Sequence, residues 1–264
     1  MTKSPSTRWL SRLGIMILFL FLLAPVIVIV VVSFSADSIL TFPPSGWSVR
    51  WYGELLQAPQ FLAGFRVSLI VSCGAAVMAA GVAIPASLAL SRGRFRGRAV
   101  IESLFLAPLL IPAIVIGLGL LLVFSPLGFK GTYTGLIVAN GGLVVPYVMR
   151  TTILSLSTMD PRCEEAARTL GATPPAVFRT VTLPLIAPGV IAGVVLAFLL
   201  TFDEAVVSFF LVSSRVQTLP IAMFDYVQTR SDPLLAAVSS VLVFLSLMVV
   251  VVIERVIGLR RALS

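Results

Sequence analysis

Histidine is absent from all 264 residues, and with it the side chain that most often binds metal or acts as a general base near neutral pH. The chain also lacks any G-x-x-x-x-G-K-[ST] run, so no phosphate-cradling loop is present and the chain does not itself hydrolyse ATP. Gly117-Leu118-Gly119 is a glycine pair within an apolar run, not a nucleotide fingerprint. Charge is scarce: 11% of residues are Asp, Glu, Lys or Arg against 58% hydrophobic, which excludes an ordinary soluble domain. Neither a metal nor a cofactor is expected.

What the chain has instead is long uncharged stretches, at Leu13–Ala36, Val67–Ser91, Ser103–Phe129, Gly131–Met149, Thr180–Phe202 and Pro233–Ile253. Each reaches or exceeds the roughly 18 residues that cross about 30 Å of hydrocarbon as a helix. The fold class read from this is an all-α membrane protein with six transmembrane helices in a single domain over 1–264. The spans are expected at about 13–35, 64–91, 101–126, 131–155, 184–211 and 233–255.

Lys and Arg set the orientation. With the N-terminus inside, segments 1–12, 91–102, 150–183 and 254–264 hold Lys3, Arg8, Arg12, the four arginines of RGRFRGR (Arg92, Arg94, Arg96, Arg98), Arg150, Arg162, Arg168, Arg179, Arg255, Arg260 and Arg261. The other side keeps only Arg50, Arg66, Lys130, Arg215 and Arg230. Both termini are therefore expected in the cytoplasm, and the formal net charge of +8 needs no nucleic-acid partner. Cys73 falls in a span and Cys163 in a cytoplasmic loop, so no disulfide joins them. The basic N-terminus followed by an apolar run invites a signal-peptide reading. That run is too long for a signal h-region, and an uncleaved first helix is expected. In the 37–60 loop, Pro43-Pro44 and Gly46 mark turns, while Trp47, Trp51 and Tyr52 suit a membrane–water interface.

Two stretches carry chemistry. The first, DPRCEEAARTLGATPPAVFRTVTLP over Asp160 to Pro184, is the longest run rich in charged and turn-forming residues. Asp160 with Pro161 starts a short helix, Gly171 ends it in the left-handed conformation, and Thr173-Pro174 starts a second. The result is a bent pair of small helices on the cytoplasmic face. The second is Asp203-Glu204, two carboxylates inside the apolar fifth span. At mid-membrane each costs about 2.5–3.5 kcal/mol, so such residues normally face a cavity or a partner, the alternative here being a helix end at the outer interface with both acids solvated. Consecutive residues point about 100° apart, so only one faces a given lumen. Phe202, Phe209 and Phe210 can offer aromatic faces to a cation. In the third span Pro108 and Pro112 release backbone groups, and in the fourth Asn140, Gly141, Gly142 and Tyr147 combine small residues with an amide that can bond across an interface.

Glu165-Ala166-Ala167, Gly171, Val181, Leu183 and Pro184 match the EAA motif of ABC-importer permeases, EAA-x3-G-x9-I-x-LP, with Val181 in place of Ile. The chain resembles that family over essentially its whole length. The resemblance implies a type I ABC importer permease fold in a bacterial inner membrane, multi-pass, with a coupling loop at 158–184. In that loop Glu164, Glu165, Ala166, Ala167, Gly171, Val177, Phe178, Leu183 and Pro184 would engage a cytoplasmic ATPase. It also implies the partners: a homologous second permease, two cytoplasmic ABC ATPases and an outer solute-binding protein. Leu200-Thr201-Phe202-Asp203-Glu204, the FPPSGWSVRWY loop and Leu219-Pro220 are similar to the polyamine (spermidine/putrescine) permeases. That similarity implies a substrate pathway along Tyr147, Phe202, Asp203, Glu204 and Asp225, with Asp232 adding negative potential. Permeases for ferric iron, opines and other small solutes share the pattern. A proton-coupled carrier using the buried acids, or a membrane enzyme with Asp203 and Glu204 as an acid pair, are the readings from other classes.

Overall fold

The computed structural model describes residues 5–93 and 95–262, which leaves Lys3 and Arg94 outside the described residues. Among the described residues the secondary structure is helical, with one isolated antiparallel bridge between Ser35 and Trp47. In chain order the helices are α1 (Pro5–Ser33), α2 (Arg50–Leu56), α3 (Pro59–Arg92), α4 (Arg98–Leu106), α5 (Ala113–Phe124), α6 (Tyr133–Thr158), α7 (Arg162–Thr169), α8 (Pro174–Val177), α9 (Leu183–Phe202), α10 (Val206–Leu211), α11 (Leu219–Thr229) and α12 (Leu234–Ala262). A 3-10 turn, Ala107–Leu109, follows α4, and a π turn, Phe178–Thr182, joins α8 to α9. The windows Gly14–Ser33, Pro59–Arg92, Tyr133–Thr158, Pro174–Phe202 and Leu234–Val251 are long and apolar enough to cross a membrane. Gly14–Ser33 has a mean hydropathy of 3.4, yet only 6% of it is buried within the chain. An apolar helix left uncovered in this way belongs in hydrocarbon, not water.

The span expected over 101–126 is not one helix. Its two halves, Arg98–Leu109 and Ala113–Phe124, are bent by 100° at a short break. The cause is Pro112, whose φ of −56° and ψ of 134° lie outside the helical region. Proline offers no N–H to the preceding turn and pushes the residue before it out of the α conformation. The span expected over 184–211 is likewise broken, between Phe202 at the end of α9 and Val206 at the start of α10.

The chain folds as two compact units. The first comprises the chain up to Leu62 with Met223–Val252, and its 34–49 loop is organised by Asp37. The Asp37 carboxylate accepts hydrogen bonds from Thr41 Oγ1 at 2.8 Å, from Ser35 Oγ and Ser45 N at 3.0 Å, and from the Ser45 hydroxyl. Arg50 Nη2 donates to Asp37 O at 2.8 Å and its guanidinium stacks 4.4 Å from the Trp51 ring. Trp51 is buried and donates to Ser35 O at 2.9 Å, and the Tyr52 hydroxyl lies 2.7 Å from Ser33 Oγ. Trp51 and Tyr52, expected with Trp47 to suit a membrane–water interface, turn their polar ends into the chain. Their polar tips are needed to hold the loop on the end of α1, and Trp47 alone of the three is largely exposed. In the same unit, Phe61 packs on Tyr226, whose hydroxyl donates to Asp232 Oδ2 at 2.7 Å. Burial, reinforced by that bond, pushes the Tyr226 hydroxyl up to about 12.

The second unit holds Ala63–Ala222 with the chain from Ile253 on, and within it α6 packs closely along α9. Gly189, Gly193 and Ala197 recur every four residues on α9, forming a smooth seam. A Cβ at Gly193 would lie 2.9 Å from Val148 Cα, and one at Gly189 would lie 2.9 Å from Thr151 O. The backbones approach that closely because nothing stands between them. Ala76, Ala79 and Ala83 on α3 play the same part against Val144, Val145, Val148 and Met149 of α6. In lipid, where the hydrophobic effect does not press helices together, such close dispersion contact is what does.

Gly193→Val should destabilise the detergent-solubilised protein by about 1–3 kcal/mol through overpacking, whereas Gly142→Ala, with nothing within 4 Å of the added methyl, should be neutral. Thermal unfolding of the two variants checks this. The carboxyl of Asp37 is held far below its ordinary value of 3.8, chiefly by its bonds from Ser45. A depressed folded pKa contributes stability above the unfolded value, and that stability is lost as pH falls through the folded one. Protease resistance of the 34–49 loop should therefore hold above pH ~4 and decline on further acidification, and Asp37→Ala should abolish the difference.

Candidate functional site

The 158–184 segment leaves α6 at Thr158 and returns to the bundle at α9. Asp160 Oδ1 accepts from Arg162 N at 2.9 Å and so satisfies one of the free donors at the start of α7. Glu164 and Glu165 sit in the first turn of α7 and Arg168 in the last, each on the side the helix dipole favours. Gly171 stops the helix with φ +87°. Gly171 N bonds Arg168 O at 3.0 Å and Ala172 N bonds Ala167 O at 3.1 Å, the paired bonds of a Schellman cap. Thr173 is extended, Pro174 opens α8, and the wider π turn leads into α9 at Leu183-Pro184.

Burial divides the residues of this segment into two groups. Glu165, Ala166, Gly171 and Pro184 are exposed, and Leu170 is 89% exposed. Ala167, Phe178 and Leu183 are half-buried, while Glu164 and Val177 are buried within the chain. The Glu164 carboxylate pairs with Arg92 Nη2 from the end of α3 and accepts a hydrogen bond from Thr182 Oγ1. In the sequence Arg92 is one of a run of basic residues. Its partner lies 72 residues away in the chain, beyond any local signal.

The second candidate site is a cavity of about 190 Å³ in the same unit, at the break in the bent span. Pro108, Leu109, Ile111, Ala113 and Ile116 line one side, Asn140, Leu143, Val144 and Tyr147 come from α6, and Leu200, Thr201 and Glu204 come from the end of α9. Glu204 follows the end of α9, and its Oε1 accepts from Val207 N at 2.9 Å, capping α10. Asp203 is exposed and does not line the cavity. The helix was expected to continue past the two acids. It ends instead, because the Glu204 side chain supplies the first turn of a new helix with an acceptor. Phe202 packs edge-on against Phe65 at 5.8 Å and near Phe198 at 5.9 Å, outside the cavity lining. Asp225 lies on α11, in the portion assigned to the first unit. The structure thus brings Glu204 and Tyr147 together at one cavity, and it does not bring Asp203 or Phe202 to its wall.

Two lining residues were not singled out as ligands by sequence reasoning. Asn140, 1% exposed, donates its Nδ2 to Leu136 O at 2.9 Å on its own helix, not across an interface, and its Oδ1 has no partner. Thr201, 5% exposed, likewise has an unpartnered Oγ1. Unpaired buried oxygens cost about 1–3 kcal/mol each unless something arrives to bond them. An amide or a threonine within an apolar run does not announce this, since either normally bonds its own helix.

Residues 81–261 match the family described as binding-protein-dependent transport system inner membrane component. The putrescine transport system permease protein PotI of Escherichia coli (strain K12) is 36% identical over 251 residues, covering 92% of this chain and 89% of that protein. The spermidine/putrescine transport system permease protein PotC of Haemophilus influenzae is 30% identical over 246 residues, covering 93% and 95%. In fold, the chain is similar to a solved bacterial ABC transporter involved in the import of the acidic polysaccharide alginate, with a TM-score of 0.69, 19% identity and 98% of each chain covered.

At Gly171 a side chain has open space but the wrong backbone. Gly171→Val should therefore loosen the 158–184 segment by about 1–2 kcal/mol, and Gly171→Asn, which tolerates the left-handed region, by less. Hydrogen exchange of residues 162–172 reads the difference, and equal exchange in both variants would refute the strain account.

Proposed function

Because the chain belongs to the binding-protein-dependent transport system inner membrane component family and is a permease subunit of an importer, we propose that its cargo is a polyamine of the putrescine and spermidine class. The observation that carries this reading is the cavity's chemistry. Glu204 brings a carboxylate, Asn140 an unpartnered carbonyl oxygen and Thr201 an unpartnered hydroxyl, and no Lys or Arg lines the wall. Three oxygen acceptors without a cationic donor suit an ammonium group and repel an oxyanion. Leu143, Val144 and Leu200 offer apolar surface for methylenes, and Tyr147 adds a ring face that can meet a cation. A chain of methylenes ending in charged amines needs both kinds of wall. The residues of the pathway have unequal parts: Glu204 meets cargo at the cavity, while Phe202, Asp203 and Asp225 contribute aromatic surface and negative potential elsewhere on the route.

On this reading the subunit is multi-pass in the inner membrane with both termini cytoplasmic. It works with a homologous second permease, two cytoplasmic ABC ATPases and an outer binding protein. The permease is non-catalytic, and its partner hydrolyses ATP. The exposed Glu165, Ala166, Leu170 and Gly171 of the 158–184 segment, with the half-buried Ala167, dock on the ATPase, and Phe178, Leu183 and Pro184 carry its movement into α9. Closure of the ATPases on ATP rocks the helices so that the cavity opens outward, and hydrolysis resets them. The exposed Leu170 supports this assignment, since so bare an apolar side chain gains by burial in a partner.

Uptake of labelled putrescine into proteoliposomes holding the complete transporter tests the cargo. Glu204→Gln should lower uptake about tenfold or more, the ratio that loss of a charge-assisted hydrogen bond represents. Asp203→Asn should change it less. Undiminished uptake by the Glu204 variant would remove this site from the pathway.

A further inference from the structure

The two adjacent glutamates of α7 point to different places. Glu165 is exposed on the surface proposed above to dock, while the neighbouring Glu164 side chain is 8% exposed and turned into the chain. A carboxylate withdrawn from water must find cationic or hydrogen-bonding partners close by. Glu164 finds both on a single oxygen. Arg92, the last residue of α3, pairs with Oε1, and Thr182, the last residue of the π turn before α9, donates its hydroxyl to the same atom. One atom of the short helix is therefore tied to the end of one long apolar helix and to the start of another. The π turn bears on this geometry. Its wider winding leaves Thr182 Oγ1 3.5 Å from Val177 O, five residues back, with the hydroxyl bonded to Glu164. Val177, whose carbonyl lies beside Thr182, is buried.

We propose that Glu164, clasped by Arg92 and Thr182, is a positioning residue that carries movement of the 158–184 segment into α3 and α9, and that it does not itself touch the ATPase. The inference rests on the importer reading above and assigns a separate task within it. Glu165, Ala166 and Leu170 receive the push, and Glu164 passes it on. Successive α-helical residues stand about 100° apart, so the pair can face partner and bundle at once on one rigid turn. Val177 belongs with the joint and not with the docking face. The two roles make different demands: a docking contact sets how much ATPase is held, whereas a transmitting joint sets how hydrolysis responds to cargo.

The experiment uses the complete transporter in proteoliposomes with Glu164→Gln, Arg92→Gln, Arg92→Lys, Thr182→Val and, for contrast, Glu165→Ala. ATPase subunit retained on purification and cargo-stimulated hydrolysis are both measured. Glu164→Gln and Arg92→Gln should retain wild-type amounts of ATPase yet lose about fivefold or more of the stimulation, the lower end of ordinary coupling between sites. Arg92→Lys, which keeps the charge, should retain most of it, and Glu165→Ala should lose bound ATPase instead. Full stimulation in Glu164→Gln and Arg92→Gln, or loss of bound ATPase in step with stimulation, would overturn the proposal. Should Glu164→Gln fail to insert, Thr182→Val decides, since it keeps the packing and removes only the hydroxyl. A coupling defect with ATPase retained supports the joint, and wild-type coupling overturns it. Failure of the importer reading itself would show in the wild-type protein, as a permease that holds no ATPase.

Discussion

Close approach of α6 and α9 is the contact on which both candidate sites depend. With Gly189, Gly193 and Ala197 on one helix and Val148, Thr151 and Ser155 on the other, the two backbones meet with no large side chain between them. In hydrocarbon this is the available cohesive force, because lipid tails are no worse a neighbour for leucine than another leucine is. The 158–184 segment connects one end of this pair, and the cavity lies toward the other end, where Asn140 and Tyr147 face Leu200 and Thr201. The helices that flank the 158–184 segment are thus among the helices that wall the cavity. A mechanical link between nucleotide and cargo needs no long relay of side chains if one rigid pair serves both.

Polar groups buried in this pair fall into two classes with opposite uses. Glu164 has an arginine and a hydroxyl on one oxygen, so its charge fastens three elements together. Asn140 and Thr201 are left with unpartnered oxygens beside a carboxylate. A satisfied buried charge resists rearrangement, because breaking it strands a charge in low dielectric. An unsatisfied acceptor favours whatever donor arrives. The first property suits a joint and the second suits a binding site, and the protein keeps them at separate places along the same helices.

Breaks in the apolar spans are where the chain spends stability on function. Pro112 interrupts one span and the Asp203–Ala205 corner another, and the cavity lies between them. Backbone groups freed within a membrane are tolerated only where protein or a polar cavity can meet them. At the corner Glu204 meets one itself, through its bond from Val207 N. Such corners make a helix terminus, with its fixed dipoles, available at a depth where an unbroken helix would present only side chains.

Composition and local spacing sufficed for the membrane class, the apolar runs, the Gly171 turn and the family motif, because each depends on residues close together in the chain and on the solvent they require. The presence of an acid pair in an apolar run was equally plain. Which acid faces the cavity, that the helix stops there, that Asn140 turns its oxygen inward, that Trp51 is buried, and that Glu164 is paired with Arg92 were decided by the tertiary structure. Those outcomes turn on side chains tens of residues apart meeting at a particular helix crossing. No periodicity or propensity along the chain encodes the angle at which two helices meet, and it is that angle which determines whether a buried oxygen finds a partner or waits for one.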